Sequence, residues 1–295
     1  MKVNSYTRIE RGRFARIYLF LLPTMILFAL FYLMPIITVL FTSFTKWDGF
    51  SAPQFNGVKN YLRLFRQSSF LISLRNLLNW SLIAIIGHVG FGVMIAFFLF
   101  QKPVGWKVVR STFMIPNVVS AAAWAMIYKF IFNNEFGVLN SLIRKIIPGF
   151  SVNWFYQSPA AFWAVTFTWL FYAVIVTLIV LGDLMAIPKE TLEAAKIDGA
   201  NGMQLTHYIK LPLCRNAIGT SVILSVTSRI AMYENIALTT RGGPGDDTMG
   251  LALILVNNIT DYNYGLANAT AMIMFVIGIL TLLVINRAFR MNEPV

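Results

Sequence analysis

Ile17-Tyr-Leu-Phe-Leu-Leu-Pro-Thr-Met-Ile-Leu-Phe-Ala-Leu-Phe-Tyr-Leu-Met-Pro-Ile-Ile-Thr-Val-Leu-Phe41 holds no charged residue. A helix rises ~1.5 Å per residue and the hydrocarbon of a bilayer is ~30 Å thick, so about 20 such residues cross it. The stretch predicts a membrane-spanning helix. Its core is too long for a secretion signal, and no small-residue cleavage site follows before Lys46, so it is expected to remain in place. Pro23 and Pro35 lie inside it and predict kinks, which neighbouring helices accommodate in a membrane bundle.

Five further stretches have the same character, at 76–100, 108–132, 160–185, 217–237 and 267–285. The fifth span of the six, 217–237, carries Ser225, Thr227, Ser228, Arg229 and Glu234, which only a helix facing protein or a wet cavity tolerates. The whole chain agrees. Of its 295 residues 57% are hydrophobic and 12% charged, and the mean hydropathy is +0.67, which excludes an ordinary water-soluble domain. The expected fold is an all-α integral membrane protein of six transmembrane helices. Residues 1–16 form a cytoplasmic N-terminal segment, 17–289 the membrane domain and 290–295 a cytoplasmic tail.

The formal charge is +12. Nucleic-acid readers gather their cations on a soluble face with stacking aromatics, whereas here they lie between apolar runs, so they orient the chain and touch anionic headgroups. With both termini inside, Lys2, Arg8, Arg11, Arg13, Arg16, Lys102, Lys107, Arg110, Lys189, Lys196, Lys210, Arg215, Arg287 and Arg290 fall in the cytoplasm. The outside receives Lys46, Lys59, Arg63, Arg66 and Arg75 in one loop, which is more basic than the rule favours. The single cysteine, Cys214, excludes an internal disulfide and a cysteine metal cluster, and His88 and His207 stand apart without further ligands at metal spacing.

Between spans four and five lies Ile187-Pro-Lys-Glu-Thr-Leu-Glu-Ala-Ala-Lys-Ile-Asp-Gly-Ala-Asn-Gly-Met-Gln-Leu-Thr-His-Tyr-Ile-Lys-Leu-Pro-Leu213. It reads as two short helices joined by a turn. Pro188 suits a first helical position, Glu190 and Glu193 sit where the helix dipole favours negative charge, Asp198-Gly199 ends the first helix, and Pro212 ends the second. The segment resembles the EAA loop of ATP-binding-cassette import permeases: Glu-Ala-Ala, Gly four residues after the second Ala, then Ile-x-Leu-Pro. The matches are Glu193, Ala194, Ala195, Gly199 (after Asp198), Ile209, Leu211 and Pro212. The resemblance implies that this elbow docks into a groove on a separate cytoplasmic ATPase.

Thr240-Arg-Gly-Gly-Pro244 resembles the Thr-x-Gly-Gly-Pro turn of the carbohydrate-importing branch. Tyr264-Gly-Leu-Ala-Asn268, Phe55-Asn-Gly-Val-Lys-Asn-Tyr-Leu62 and Asn134-Glu-Phe-Gly-Val-Leu-Asn140 resemble three further segments of it. In the maltose-transporting members the sugar contacts come from the fourth and fifth aligned helices. Carried over on these motifs, those positions are Ser225, Arg229 and Met232, beside Tyr233, and Phe167, Leu170, Phe171 and Val174. The latter four lack the polar and small residues of the maltose pattern, so maltose itself is not expected. Tyr172 and Trp169 offer aromatic stacking. Arg229 costs ~2.5–3.5 kcal/mol at mid-membrane on insertion scales, so it must face water, a partner or a substrate. Glu234, five residues on, lies on nearly the opposite helix face.

The resemblance implies a permease subunit that performs no covalent chemistry and imports a sugar or oligosaccharide, neutral or acidic. Its partners are a second permease, two copies of an ATPase that binds the ATP and Mg, and an extracytoplasmic sugar-binding protein, in a bacterial or archaeal cytoplasmic membrane. No cofactor or metal is expected on this chain, and because it contains no Gly-x-x-x-x-Gly-Lys-Ser/Thr loop the nucleotide is expected on a partner. A polyol or glycerophosphodiester importer is the alternative cargo. A self-sufficient secondary transporter would need more intramembrane carboxylates for ion coupling and leaves the elbow unused. The orientation is tested by cysteine labelling: Ser51→Cys should react with an impermeant thiol reagent from outside and Gln204→Cys only from inside, each above the wild-type background, and the reverse pattern overturns it.

Overall fold

The computed structural model describes residues 17–291. The 1–16 segment, with Lys2, Arg8, Arg11, Arg13 and Arg16, and residues 292–295 of the tail lie outside the described residues. Helix α1, Ile17–Ser43, leads into a short antiparallel hairpin, β1 (Thr45–Lys46) with β2 (Gln54–Phe55), in which Thr45 pairs with Phe55. Then follow α2 (Lys59–Arg66), α3 (Ser68–Phe100), α4 (Trp106–Val118), α5 (Ala121–Ile131) and α6 (Val138–Arg144). The second half is α7 (Ala160–Leu170), α8 (Val174–Ala186), α9 (Lys189–Ile197), α10 (202–213), α11 (Arg215–Ile230), α12 (Glu234–Ala237), α13 (Leu251–Thr260) and α14 (Tyr264–Ala288).

Among the described residues four helical stretches are long and apolar enough to cross a membrane: α1, α3, α7 with α8, and α14. The stretch expected as one third span is two helices, α4 and α5, bent by 107°. The cause is local. Pro116 sits in a 3-10 turn, Val119 and Ser120 are extended, and the Ser120 hydroxyl caps α5 by accepting from Ala123 N at 3.3 Å. The fifth expected span also differs, because α11 stops at Ile230 after 16 residues and the chain resumes as α12. Helices α2 and α13 lie where the sequence suggested loops.

Two apolar cores stack along the bundle. One, near the hairpin, centres on Phe70, Trp80, Val165, Trp169 and Ile236. The other, near α9 and α10, centres on Val89, Val180, Leu184, Val222 and Ile285. Within the second core α3 and α8 approach closely: a Cβ at Gly92 would stand 2.6 Å from Val176 Cγ1, and the Thr177 hydroxyl donates to Gly92 O at 3.0 Å. Two asparagines, Asn60 of the quoted 55–62 motif and Asn76 of α3, fasten the loops at the hairpin end. Asn60 Nδ2 donates to Ser43 O and Thr45 O, both at 2.8 Å, and Asn76 Nδ2 donates to Asp247 O and Met249 O beyond the Gly-Gly-Pro turn. In hydrocarbon such backbone groups have no water to turn to.

Two of the helices widen into π turns immediately before a proline. Ala29–Leu33 precedes Pro35, and Leu205–Lys210 precedes Pro212. A π turn moves the bonding register by one residue and so absorbs the N–H that proline lacks. Pro212 stands one residue before the end of the second elbow helix, which closes at Leu213, and Cys214, at φ −84° and ψ 9°, separates that helix from α11.

Candidate functional site

Four helical segments are interrupted beside one another, between the two cores. The α7–α8 run breaks at 171–173, α11 and α12 are separated at 231–233, α3 carries a π turn at Ala84–Val89, and α4 bends into α5 at 119–120. A broken helix leaves carbonyls without intrahelical donors. Side chains of the other segments supply them. Trp124 Nε1 donates to Thr168 O at 2.7 Å, and the His88 Nδ1–H donates to Leu170 O at 3.0 Å. Asn235 Nδ2 donates to the Thr168 hydroxyl at 2.9 Å, and the Tyr172 hydroxyl donates to Asn117 Oδ1 at 2.6 Å. His88 also stands edge-on to Trp169, with ring centroids 6.0 Å apart.

These bonds wall a cavity of about 230 Å³ lined by Pro116, Val119, Ala121, Trp124, Thr168, Trp169, Tyr172, Arg229 and Asn235. Its lining combines the aromatic Trp124, Trp169 and Tyr172, the hydrogen-bonding Thr168 and Asn235, and the apolar Pro116, Val119 and Ala121. Its one charged group is Arg229, whose guanidinium carbon lies 4.0 Å from the centre of the Trp169 ring, a cation–π contact. Arg229 Nη1 also points at Met232 Sδ, 3.7 Å away. Two polar atoms here are buried without a hydrogen-bond partner: Arg229 Nε and Trp169 Nε1. Such atoms cost stability unless something pairs with them.

Arg229, Trp169 and Tyr172 line the cavity, and Met232 adjoins it. The remaining expected positions do not. Ser225 and Val174 are buried in helix packing, and Tyr233 packs against the core near the hairpin. Phe167 and Phe171 stack on each other at 6.1 Å, with Phe171 edge-on to Phe91, and neither borders the cavity. Leu170 contributes its carbonyl rather than its side chain. Trp124, Thr168, Asn117 and Asn235 went unrecognised as site residues, because each lies at a helix interruption that apolar run length does not register.

The description of the matching family model is "Binding-protein-dependent transport system inner membrane component", and the match covers residues 88–294, well over half the chain. The chain belongs to this family. It is 30% identical to the probable ABC transporter permease protein YurN of Bacillus subtilis, over 88% of this chain and 91% of that one. It is 31% identical to the multiple sugar-binding transport system permease protein MsmF of Streptococcus mutans, over 90% and 93%. The fold matches a chain in the crystal structure of a bacterial alginate ABC transporter in complex with an alginate pentasaccharide-bound periplasmic protein. The TM-score is 0.78 at 20% identity, covering 98% of this chain and 99% of that one.

In this permease the 187–213 segment forms two helices across a sharp turn. Pro188 precedes the first helix rather than occupying its first position, and α9 starts at Lys189. Gly199 has φ +87°, and α9 closes with Gly199 N on Lys196 O at 3.0 Å and Ala200 N on Ala195 O at 2.9 Å. That is the paired C-terminal bonding that glycine makes possible. Asn201 and Gln204 then cap α10 reciprocally. Glu193, Ala194, Asp198 and Pro212 are exposed, while Ala195, Ile209 and Leu211 are half-buried. Ile197, Met203 and Tyr208 are 86%, 82% and 72% exposed, so the apolar tip of the elbow is uncovered. Lys210 Nζ sits 5.1 Å from the Phe100 ring and fastens the elbow base to α3.

Trp124→Phe keeps the aromatic packing and removes the donor to Thr168 O. Thermal unfolding of the purified permease in detergent should show a loss of about 1–3 kcal/mol, the usual cost of a stranded buried acceptor. Unchanged stability would mean that the break is not held by this bond.

Proposed function

We propose that this chain is a six-span permease subunit of an ATP-binding-cassette importer, and that the Arg229–Trp169 cavity contacts a sugar on its way through. The observation that carries this reading is the cavity itself: aromatic faces, fixed hydrogen-bonding groups and one cation, placed where several helices are interrupted between two apolar cores. Interrupted helices at mid-membrane are a recurring way of presenting polar groups to a transported solute. A volume of about 230 Å³ lies below the ~300–1,000 Å³ of drug-sized pockets and suits a single sugar ring at a time.

In this reading the bent pair α4–α5 forms the third span, and α11 with α12 the fifth. Both termini and the elbow lie on the cytoplasmic side. A second permease completes the pathway, two copies of an ATPase carrying ATP and Mg receive the elbows, and an extracytoplasmic binding protein delivers the sugar. The sugar class is supported by the multiple-sugar relative, by the four carbohydrate-branch motifs and by the alginate-transporter neighbour. Arg229 then forks onto vicinal hydroxyls or onto a carboxylate. The absence of a carboxylate from the cavity lining supports the acidic sugar, because Arg229 has no anion of its own there.

The elbow reading rests on exposed Glu193, on the small Ala194 and Ala195 that allow close approach, and on the uncovered apolar tip. Gly199→Val forces a β-branched residue to φ +87°, and Glu193→Lys reverses a charge at the docking rim. Both variants should assemble in the membrane yet lose substrate-stimulated ATP hydrolysis by the complete complex; wild-type coupling in both would remove the elbow from that role.

Arg229→Gln and Arg229→Lys test the cavity. Uptake of a uronic oligosaccharide by the reconstituted complex should fall roughly 10- to 100-fold for Gln, the worth of a charge-assisted hydrogen bond, with partial retention for Lys. A neutral oligosaccharide should be less affected. If Gln carries every substrate as well as wild type, Arg229 is structural.

A further inference from the structure

The chain leaves α1 at Ser43 and enters α3 at Ser68, and α2 ends one residue before α3 begins. The first turn of α2 is tied to the end of α1, a spanning helix, which puts that turn at the membrane boundary. It is held there rigidly, since its own Asn60 bonds Ser43 O and Thr45 O, and Gly265 N bonds Trp47 O at 3.1 Å where α14 begins. Around α2 three stripes run at helical spacing. Asn60 and Leu64 are buried against the bundle. Val58, Leu62 and Phe65, spaced i, i+4, i+7, are apolar and exposed. Between these two stripes lie Lys59, Arg63 and Arg66, also at i, i+4, i+7 and all exposed.

The basic stripe borders two hollows. One, of about 340 Å³, is lined by Lys59, Leu62, Arg63, Arg66 and Gln67. The other, of about 230 Å³, shares Lys59 and Arg63 and adds Lys46. No carboxylate lines either hollow. The nearest in sequence, Asp48, is spent on its own turn, accepting from Phe50 N, Ser51 N and the Ser51 hydroxyl, and those bonds hold its carboxyl down to about 2. Like charges four residues apart repel, so the stripe favours an anion.

We propose that the Lys59–Arg63–Arg66 face of α2 binds the phosphate of an anionic phospholipid headgroup, with Val58, Leu62 and Phe65 seated in the acyl boundary beside it. An apolar stripe next to a basic one, on a short helix tied to the end of a spanning helix, is the pattern of an interfacial helix. An acidic protein surface would satisfy the cations but leave that apolar stripe unexplained at the edge of the hydrocarbon. The site requires only that α2 lies at a membrane boundary and is independent of which leaflet it faces. It also accounts for a loop more basic than expected for the outside.

The test compares the assembled importer carrying wild-type chain with the Lys59→Gln/Arg63→Gln/Arg66→Gln variant. Both are titrated in neutral detergent with phosphatidylglycerol or phosphatidylcholine, and bound lipid is counted by native mass spectrometry. Each cation near a headgroup surface contributes about a fivefold factor, so the triple variant should bind phosphatidylglycerol on the order of a hundredfold more weakly. Phosphatidylcholine binding should be unchanged. Single Arg63→Gln and Arg66→Gln variants, each expected to lose about fivefold, serve if the triple variant does not assemble. Equal phosphatidylglycerol binding by variant and wild type overturns the proposal. So does unchanged lipid binding with weakened capture of the sugar-binding protein in phosphatidylcholine nanodiscs, which would make the stripe a protein-docking face.

Discussion

A carbonyl exposed by a helix break inside a bilayer has no water to accept from, and this constraint organises the centre of the molecule. Interrupting α7 at Leu170 frees Thr168 O and Leu170 O, and each must find a donor from another segment. Trp124 and His88 are those donors. To reach Thr168, α5 must approach α7, which the 107° bend at Val119–Ser120 permits. To reach Leu170, the π turn of α3 must present His88 inward. One break thus demands others nearby. The cavity is the space that the broken ends cannot fill.

Arg229 belongs to the same logic. A guanidinium placed among apolar helices keeps its charge only if its surroundings replace water, and the Trp169 face supplies part of that. Trp169 is itself held by His88 on one edge, so the π turn of α3, the α7 break and the end of α11 meet at a single stack. The stack leaves two buried atoms without a partner, Arg229 Nε and Trp169 Nε1, and both are a cost that the surrounding packing must offset.

Much of this was legible in the residues. Run length and freedom from charge located α1, α3, the α7–α8 run and α14, because in hydrocarbon those properties nearly suffice. The turn at Gly199 was readable from Asp198-Gly199, and Arg229 stood out through the expense of its position. The breaks were not legible, because Phe171, Tyr172 and Ala173 are as apolar as any helix interior and only tertiary donors decide that the helix stops there. Pro212 marks the end of α10 to within one residue, and the π turn at Leu205–Lys210 absorbs the donor that it lacks. Trp124 sits in an ordinary apolar run, and only the structure shows it donating to Thr168 O.

Between the elbow and the cavity the chain has two joints. Cys214, at φ −84° and ψ 9°, ends α10 and opens α11, with Cys214 N on Lys210 O at 3.0 Å before it and Ile218 N on Cys214 O at 2.9 Å after it. The other joint lies at 231–233, where α11 gives way to α12. Helix α11 itself runs unbroken for 16 residues, and a rise of ~1.5 Å per residue makes it roughly 24 Å long. Opening one of its bonds inside a bilayer would leave backbone groups that no water satisfies. The helix therefore holds together between its joints, and any shift of it displaces Arg229, one residue from its end, against the Trp169 face.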